Sequence, residues 1–214
     1  MIRYYTWAAF AAAAGLLAGA AEAVPAAAAG YSLTTFAASP ANTSGADSIE
    51  IVGGNVYVGY SNGTPKDGSG GTSTIIEYSS SGAVLNSTTV AGHTDGLRYN
   101  STSGQIWAMQ NEDGNPNLVL VTPNMLAKSP VYSFSATPHG GGYDDAVFVN
   151  GQAYVTASNP GASPNTSPAI SRVTLSGTTA TVTGVLNGGT AATPINAGAP
   201  NPLDLQDPDS LSLS

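Results

Sequence analysis

The chain of 214 residues contains no cysteine. Disulfides and thiolate metal sites are therefore excluded, and any metal would need oxygen or imidazole ligands. Charge is scarce as well: 8% of residues are charged, against about 25% in an average globular protein. Five basic residues face 13 acidic ones, for a formal net charge of -8. That shortage of Lys and Arg argues against nucleic acid, whose affinity comes mainly from cations on phosphates, and equally against an anionic membrane surface. There are only two histidines. No Ser/His/Asp triad and no H-E-x-x-H pattern can be argued, and no phosphate-binding loop is present.

Apolar residues make up 42% of the chain, enough to bury a core, and aromatic and β-branched residues recur throughout. This composition is not that of a charge-rich disordered chain. Residues 1–23 read as a bacterial-type signal peptide: Arg3 supplies the positive start, Trp7 to Ala21 is apolar and uncharged, and Ala21-Glu22-Ala23 forms an A-x-A cleavage site. Ala27-Ala28-Ala29 is a second candidate. An apolar run of 15 residues falls short of the ~20 that span a bilayer. The reading is export to the periplasm or cell exterior, with no membrane insertion after cleavage. Residues 1–29 are assigned to the signal and a short linker, and 31–214 to the fold.

That fold region repeats. Asp47 to Val58 (Asp-Ser-Ile-Glu-Ile-Val-Gly-Gly-Asn-Val-Tyr-Val) aligns without a gap to Asp144 to Val155 (Asp-Asp-Ala-Val-Phe-Val-Asn-Gly-Gln-Ala-Tyr-Val). Each reads as a strand, a two-residue turn and a second strand, and Asn150-Gly151 is a strong hairpin signal. A third copy opens at Asp95 with a longer turn and a fourth at Asp209. Two further strands follow each hairpin: Ser73–Tyr78 and Val84–Val90, Leu118–Thr122 and Val131–Ser135, Ala169–Leu175 and Thr179–Leu186. The spacing between the first three copies is 48 and then 49 residues, and Asn187 to Pro202 reads as an inserted loop that lengthens the next step. Four short antiparallel strands per unit of about 50 residues predict an all-β chain built as a β-propeller. About three blades and the first strand of another are expected, an incomplete ring. Tyr31 to Ala37 is expected as an outer closing strand.

The pattern of Asp opening the inner strand, Gly in the first turn and Tyr-Val or Trp-Ala in the second strand resembles the secreted bacterial β-propellers of the broad NHL, gluconolactonase-like and lactonase-like group. The resemblance implies the fold and transfers no activity.

Asp47, Asp95, Asp144 and Asp209 share one repeat position and are expected to ring one mouth of a central channel. An Asp there either fixes a turn by accepting backbone N–H bonds or contributes to a carboxylate ring for a hard cation such as calcium, which takes about six to eight oxygens. His93 and His139 each lie just before such an Asp and are expected at the same mouth. Asp145 is an acid where the other copies carry Ser48, Gly96 and Ser210. The candidate metal set is thus Asp145, Asp144, Asp95, His93 and His139, for calcium or another divalent cation. Gly140-Gly141-Gly142 would let the backbone approach a ligand. Asn111-Glu112-Asp113-Gly114-Asn115 loosely resembles a calcium loop but lacks the EF-hand spacing. Trp107, Tyr57 and Tyr154 sit at equivalent second-strand positions, which favours packing between blades over sugar stacking.

Three functions fit. The favoured one is a non-catalytic binding or scaffold propeller that holds a small neutral ligand or a protein at one channel mouth. The alternatives are a metal-dependent hydrolase or lactonase, in which a divalent ion would polarise a carbonyl, and a structural cell-surface protein.

Overall fold

The three-dimensional structure is a computed structural model that describes residues 25–195 and 198–212. The expected signal segment, 1–23, lies outside the described residues. The chain divides into two units at Thr35/Phe36. In the first unit the described residues form no strand, and Tyr31 N donates to Ala28 O at 3.0 Å. The expected closing strand from Tyr31 to Ala37 is absent: the segment is largely exposed and no neighbouring strand pairs with it.

The second unit is all-β, with no helix among its described residues. Strands β1 (Ala46–Val52), β2 (Asn55–Tyr60), β3 (Thr72–Tyr78) and β4 (Val84–Ala91) form one antiparallel sheet in chain order. Strands β5 (Thr94–Asn100), β6 (Gln105–Gln110) and β7 (Asn117–Thr122) follow, with short β8 (Ala127–Lys128) and β9 (Tyr132–Phe134) both pairing with β7. Strands β10 (Gly142–Val149), β11 (Gln152–Ser158), β12 (Pro168–Ser176) and β13 (Thr179–Asn187) repeat the antiparallel order. Parallel pairing of β13 with β9 joins the last two groups into a mixed nine-stranded sheet. Its end strands, β5 and β10, pack against each other, so the sheet nearly closes on itself like a barrel. Within the inserted loop, β14 (Ala191–Ala192) pairs with β15 (Asn201–Pro202).

The strand pairs expected from the repeat are present with small boundary shifts. Gly53 and Gly54 adopt φ 60° and 88°, and Asn150 and Gly151 adopt 49° and 75°. Two consecutive positive φ values match the twist of the flanking strands, which is why Gly and Asn occupy these turns. The strand expected from Asp209 does not form: residues 203–212 carry no strand. A strand needs partners for its backbone groups; here Leu203 N and Leu205 N donate to Thr190 O and Gly188 O, and Leu211 N to the Asp145 carboxylate.

The apolar core lies between successive four-strand groups. Tyr57, Ile75 and Val90 of the first pack with Leu97, Ile106 and Val121 of the second. Trp107, Met109 and Leu118 of the second pack with Tyr143, Val155 and Val173 of the third. Trp107 meets Phe148 edge-on, with ring centroids 5.1 Å apart. Tyr57 and Trp107 are thus packing residues; Tyr154 is half-buried.

Replacing Trp107, 4% exposed between two groups, with Ala should cost about 3–5 kcal/mol. The same change at exposed Met125 should stay within about 0.5 kcal/mol. Urea unfolding of both variants checks the contrast, and similar losses in the two would place the core elsewhere.

Candidate functional site

Strands β1, β5 and β10 each slip register by one residue against their hairpin partners at the same repeat position. Ala46 faces Tyr60 but Ile49 faces Val58. Thr94 faces Gln110 but Leu97 faces Ala108. Tyr143 faces Ala157 but Ala146 faces Val155. The extra residue falls at Asp47-Ser48, Asp95-Gly96 and Asp144-Asp145, and a bulge of this kind re-aims side chains. Asp47, Asp95 and Asp144 line one cavity of about 600 Å³, together with Asp209, His93 and Glu112.

Two glycines set how close the walls come. A Cβ on Gly96 would lie 2.3 Å from the Asp144 carbonyl oxygen, so its absence lets β10 approach β5. A Cβ on Gly142 would lie 2.3 Å from the Glu112 carbonyl oxygen, so that glycine seats the acidic loop against the start of β10. Gly141 abuts the Ser158 carbonyl in the same way. The glycine run therefore makes room for the protein's own backbone rather than for a ligand.

Asp95, Glu112 and Asp144 bring carboxylate oxygens within 4.8 Å of one another. Asp47, His93 and Asp95 form a second group at the same spacing, and Asp144, Asp207 and Asp209 a third, more exposed one. Such groups have the donors to bind a metal ion, since hard divalent cations take carboxylate oxygens. Burial first, then the charges of Glu112, Asp144 and Asp47, push the Asp95 carboxyl up to about 9. Burial first, then the hydrogen bond that its protonated form shares with Glu112, push Asp144 up to about 8, partly opposed by a hydrogen bond with Ser158. Burial acts to raise Glu112, but the Lys66 ammonium 2.6 Å away and a hydrogen bond from Asp144 together hold Glu112 below its ordinary value. Asp144 is 2% exposed, and its Oδ1 has no hydrogen-bond partner. A buried carboxyl oxygen left unpaired is costly unless something occupies the space before it.

The two histidines part company. His93, 7% exposed, holds Nδ1 2.6 Å from the Thr64 carbonyl oxygen and directs Nε2 to within 3.4 Å of Asp47 Oδ2. His139 lies outside the cavity lining, with Nε2 2.6 Å from the Gly142 carbonyl oxygen and its ring edge-on to Tyr143. Burial, opposed by the Gly142 carbonyl, lowers its pKa. Asp145 lines the cavity, but its carboxylate is engaged: Arg98 Nε and a terminal guanidinium nitrogen donate at 3.2 and 2.5 Å, and the amides of Ala146 and Leu211 at 2.7 and 3.2 Å. It belongs to none of the three metal-type groups among the described residues. Its departure from the repeat is explained by Arg98, which clamps β10 to β5.

Glu112 is the member that repeat reasoning does not place, because its loop sits outside the repeated motif. The acidic pentapeptide around it was the available signal. Gly59-Tyr60-Ser61-Asn62-Gly63 has the spacing of a nucleophile elbow, and Ser61 lines the cavity. That motif requires a strand-to-helix turn. Here a loop follows β2, and Ser61 Oγ donates to the Gly45 carbonyl at 3.3 Å.

Folding raises the pKa of Asp95 and Asp144, so the folded chain keeps protons that the unfolded chain releases above about pH 4. Their contribution to stability is complete below that pH and is lost as pH climbs through 8 and 9. Burial lowers His139 below its ordinary value, away from that window. The melting temperature in a chelator should therefore fall between pH 7 and 9, and Asp95→Asn should flatten the fall. A Tm that holds or rises over this interval contradicts the burial of these carboxyls.

No protein-family model and no curated protein matches the chain. Among solved structures it is similar to a protein of unknown function from Bacteroides caccae, at 15% identity and a TM-score of 0.43, over 74% of this chain. The match spans 56% of that protein's length. The resemblance to NHL and lactonase-like propellers thus has no family match behind it.

Proposed function

We propose that the protein is an exported, non-catalytic β-propeller whose acidic cavity binds through a divalent cation. Each four-strand group is read as one blade, with β1, β5 and β10 as the inner strands. Contacts of β5 with both β1 and β10 support that reading, as does a core divided between neighbouring groups. Export rests on the signal-like start of the sequence. The cation would anchor a small ligand or a partner's side chain that completes its coordination.

The observation that carries the proposal is Asp144 Oδ1, buried and unpaired beside Asp95 and Glu112. Oxygen donors favour calcium, magnesium or manganese. Lys66, whose side chain is 59% exposed, is free to swing from Glu112 into solvent when a cation arrives. His93 supplies the one argument for a hydrolase instead: its Nε2 lies buried without a hydrogen-bond partner beside the carboxylates, a placement suited to a general base.

A cation at one hundred times its Kd stabilises the folded state by about 2.7 kcal/mol, which raises Tm by about 5–10 °C for a chain of this length. The signal-free protein should show such a shift with calcium or manganese, and Asp144→Asn should abolish it. If no divalent cation moves Tm, the acids serve the fold alone. Turnover of lactones or esters that depends on the cation and on His93 would replace binding with hydrolysis.

A further inference from the structure

We infer that the cavity holds two divalent cations side by side, with Asp95 as the shared ligand. The inference rests on the cation-binding reading above and adds a second site. One ion would lie among Asp47, His93 and Asp95, the other among Asp95, Glu112 and Asp144.

Each group is tight enough for one ion, with donor atoms within 4.8 Å of one another. An ion about 2.0–2.6 Å from each ligand requires donors no farther apart than roughly twice that distance. Glu112 and Asp144 group with Asp95 but not with Asp47 and His93, so a single ion does not serve all five side chains. Asp95 belongs to both groups, and its two carboxylate oxygens suit it to bridge. Bridged ions of this kind stand about 3.5–4 Å apart.

Each group also carries its own buried donor without a hydrogen-bond partner. In the carboxylate group it is Asp144 Oδ1. In the mixed group it is His93 Nε2, on a side chain 9% exposed. The Thr64 carbonyl can only accept, so the 2.6 Å contact puts the ring proton on Nδ1. The ring's Nε2 faces the cavity 3.4 Å from Asp47 Oδ2, as in metal-binding histidines whose other nitrogen is held by a backbone carbonyl.

Charge points the same way. Six acids line the cavity, Asp47, Asp95, Glu112, Asp144, Asp145 and Asp209, against two bases, Lys66 and Arg98, and two divalent ions match that excess of acids. Of the two basic side chains in the lining, Arg98 is committed to Asp145 and only Lys66 faces the group.

Manganese suits the test, because it accepts carboxylate oxygen and imidazole nitrogen and is paramagnetic. The signal-free chain, stripped with a chelator, should bind two equivalents in calorimetry at neutral pH. Its electron paramagnetic resonance spectrum should show the broadening of two coupled ions. His93→Ala and Glu112→Gln should each reduce binding to one equivalent and remove the coupling, with circular dichroism matching the parent. Asp95→Asn should weaken both ions. One equivalent in the parent protein overturns the pair while leaving the single-cation reading intact. No binding overturns both, and two uncoupled ions overturn the bridge.

Discussion

Strands β1, β5 and β10 each carry one residue more than the hairpin partner can match, and the surplus falls at an aspartate every time. In a regular strand, neighbouring side chains alternate between the two faces, and the aspartate would follow its neighbours toward the core or the solvent. The bulge breaks that alternation at one point. It turns Asp47, Asp95 and Asp144 toward a common cavity while Leu97 and Ala146, just beyond, return to the core. A structural feature of each hairpin thereby becomes a collective property of the assembly.

Bringing these acids together has a cost that surrounding residues partly offset. Arg98 neutralises Asp145, Lys66 neutralises one oxygen of Glu112, and Ser73, Gln110 and Asn111 satisfy the polar groups behind the strand starts. Asp95 and Asp144 receive no cationic partner and are held toward their protonated forms by burial. A protein that needed aspartate only to fix turns would gain nothing from close approach of the three, yet Gly96 and Gly142 permit that approach by omitting a side chain. Elsewhere a buried acid is fully served: Glu77 accepts from Asn55, Tyr57 and Asn86 at 2.7 to 2.9 Å. Asp144 differs from Glu77 in having one oxygen, Oδ1, without a hydrogen-bond partner.

The repeat made much of the architecture legible. Alternating apolar residues and the turns at Gly53-Gly54 and Asn150-Gly151 announce hairpins whose conformation depends on residues within a few positions. Tyr57 and Trp107 could be assigned to packing because both recur at one place in the motif. The aspartate positions were legible for the same reason, although the bulges that aim them were not. Asp209 lies in the cavity lining without the strand that the motif predicts, since no neighbouring strand pairs with it.

What the sequence determined by itself is therefore local and periodic: an all-β chain, its hairpins, a poverty of bases, and an aspartate at the head of each repeat. Only the tertiary structure decided which acids meet. It brought Glu112 in from a loop, drew Asp145 away to Arg98, and separated His93 at the cavity from His139 beside Tyr143. The physical reason is that strand and turn preferences act over neighbouring residues. The make-up of the cavity depends instead on how close β5, β10 and the Glu112 loop pack, and that distance is set by contacts between residues far apart in the chain.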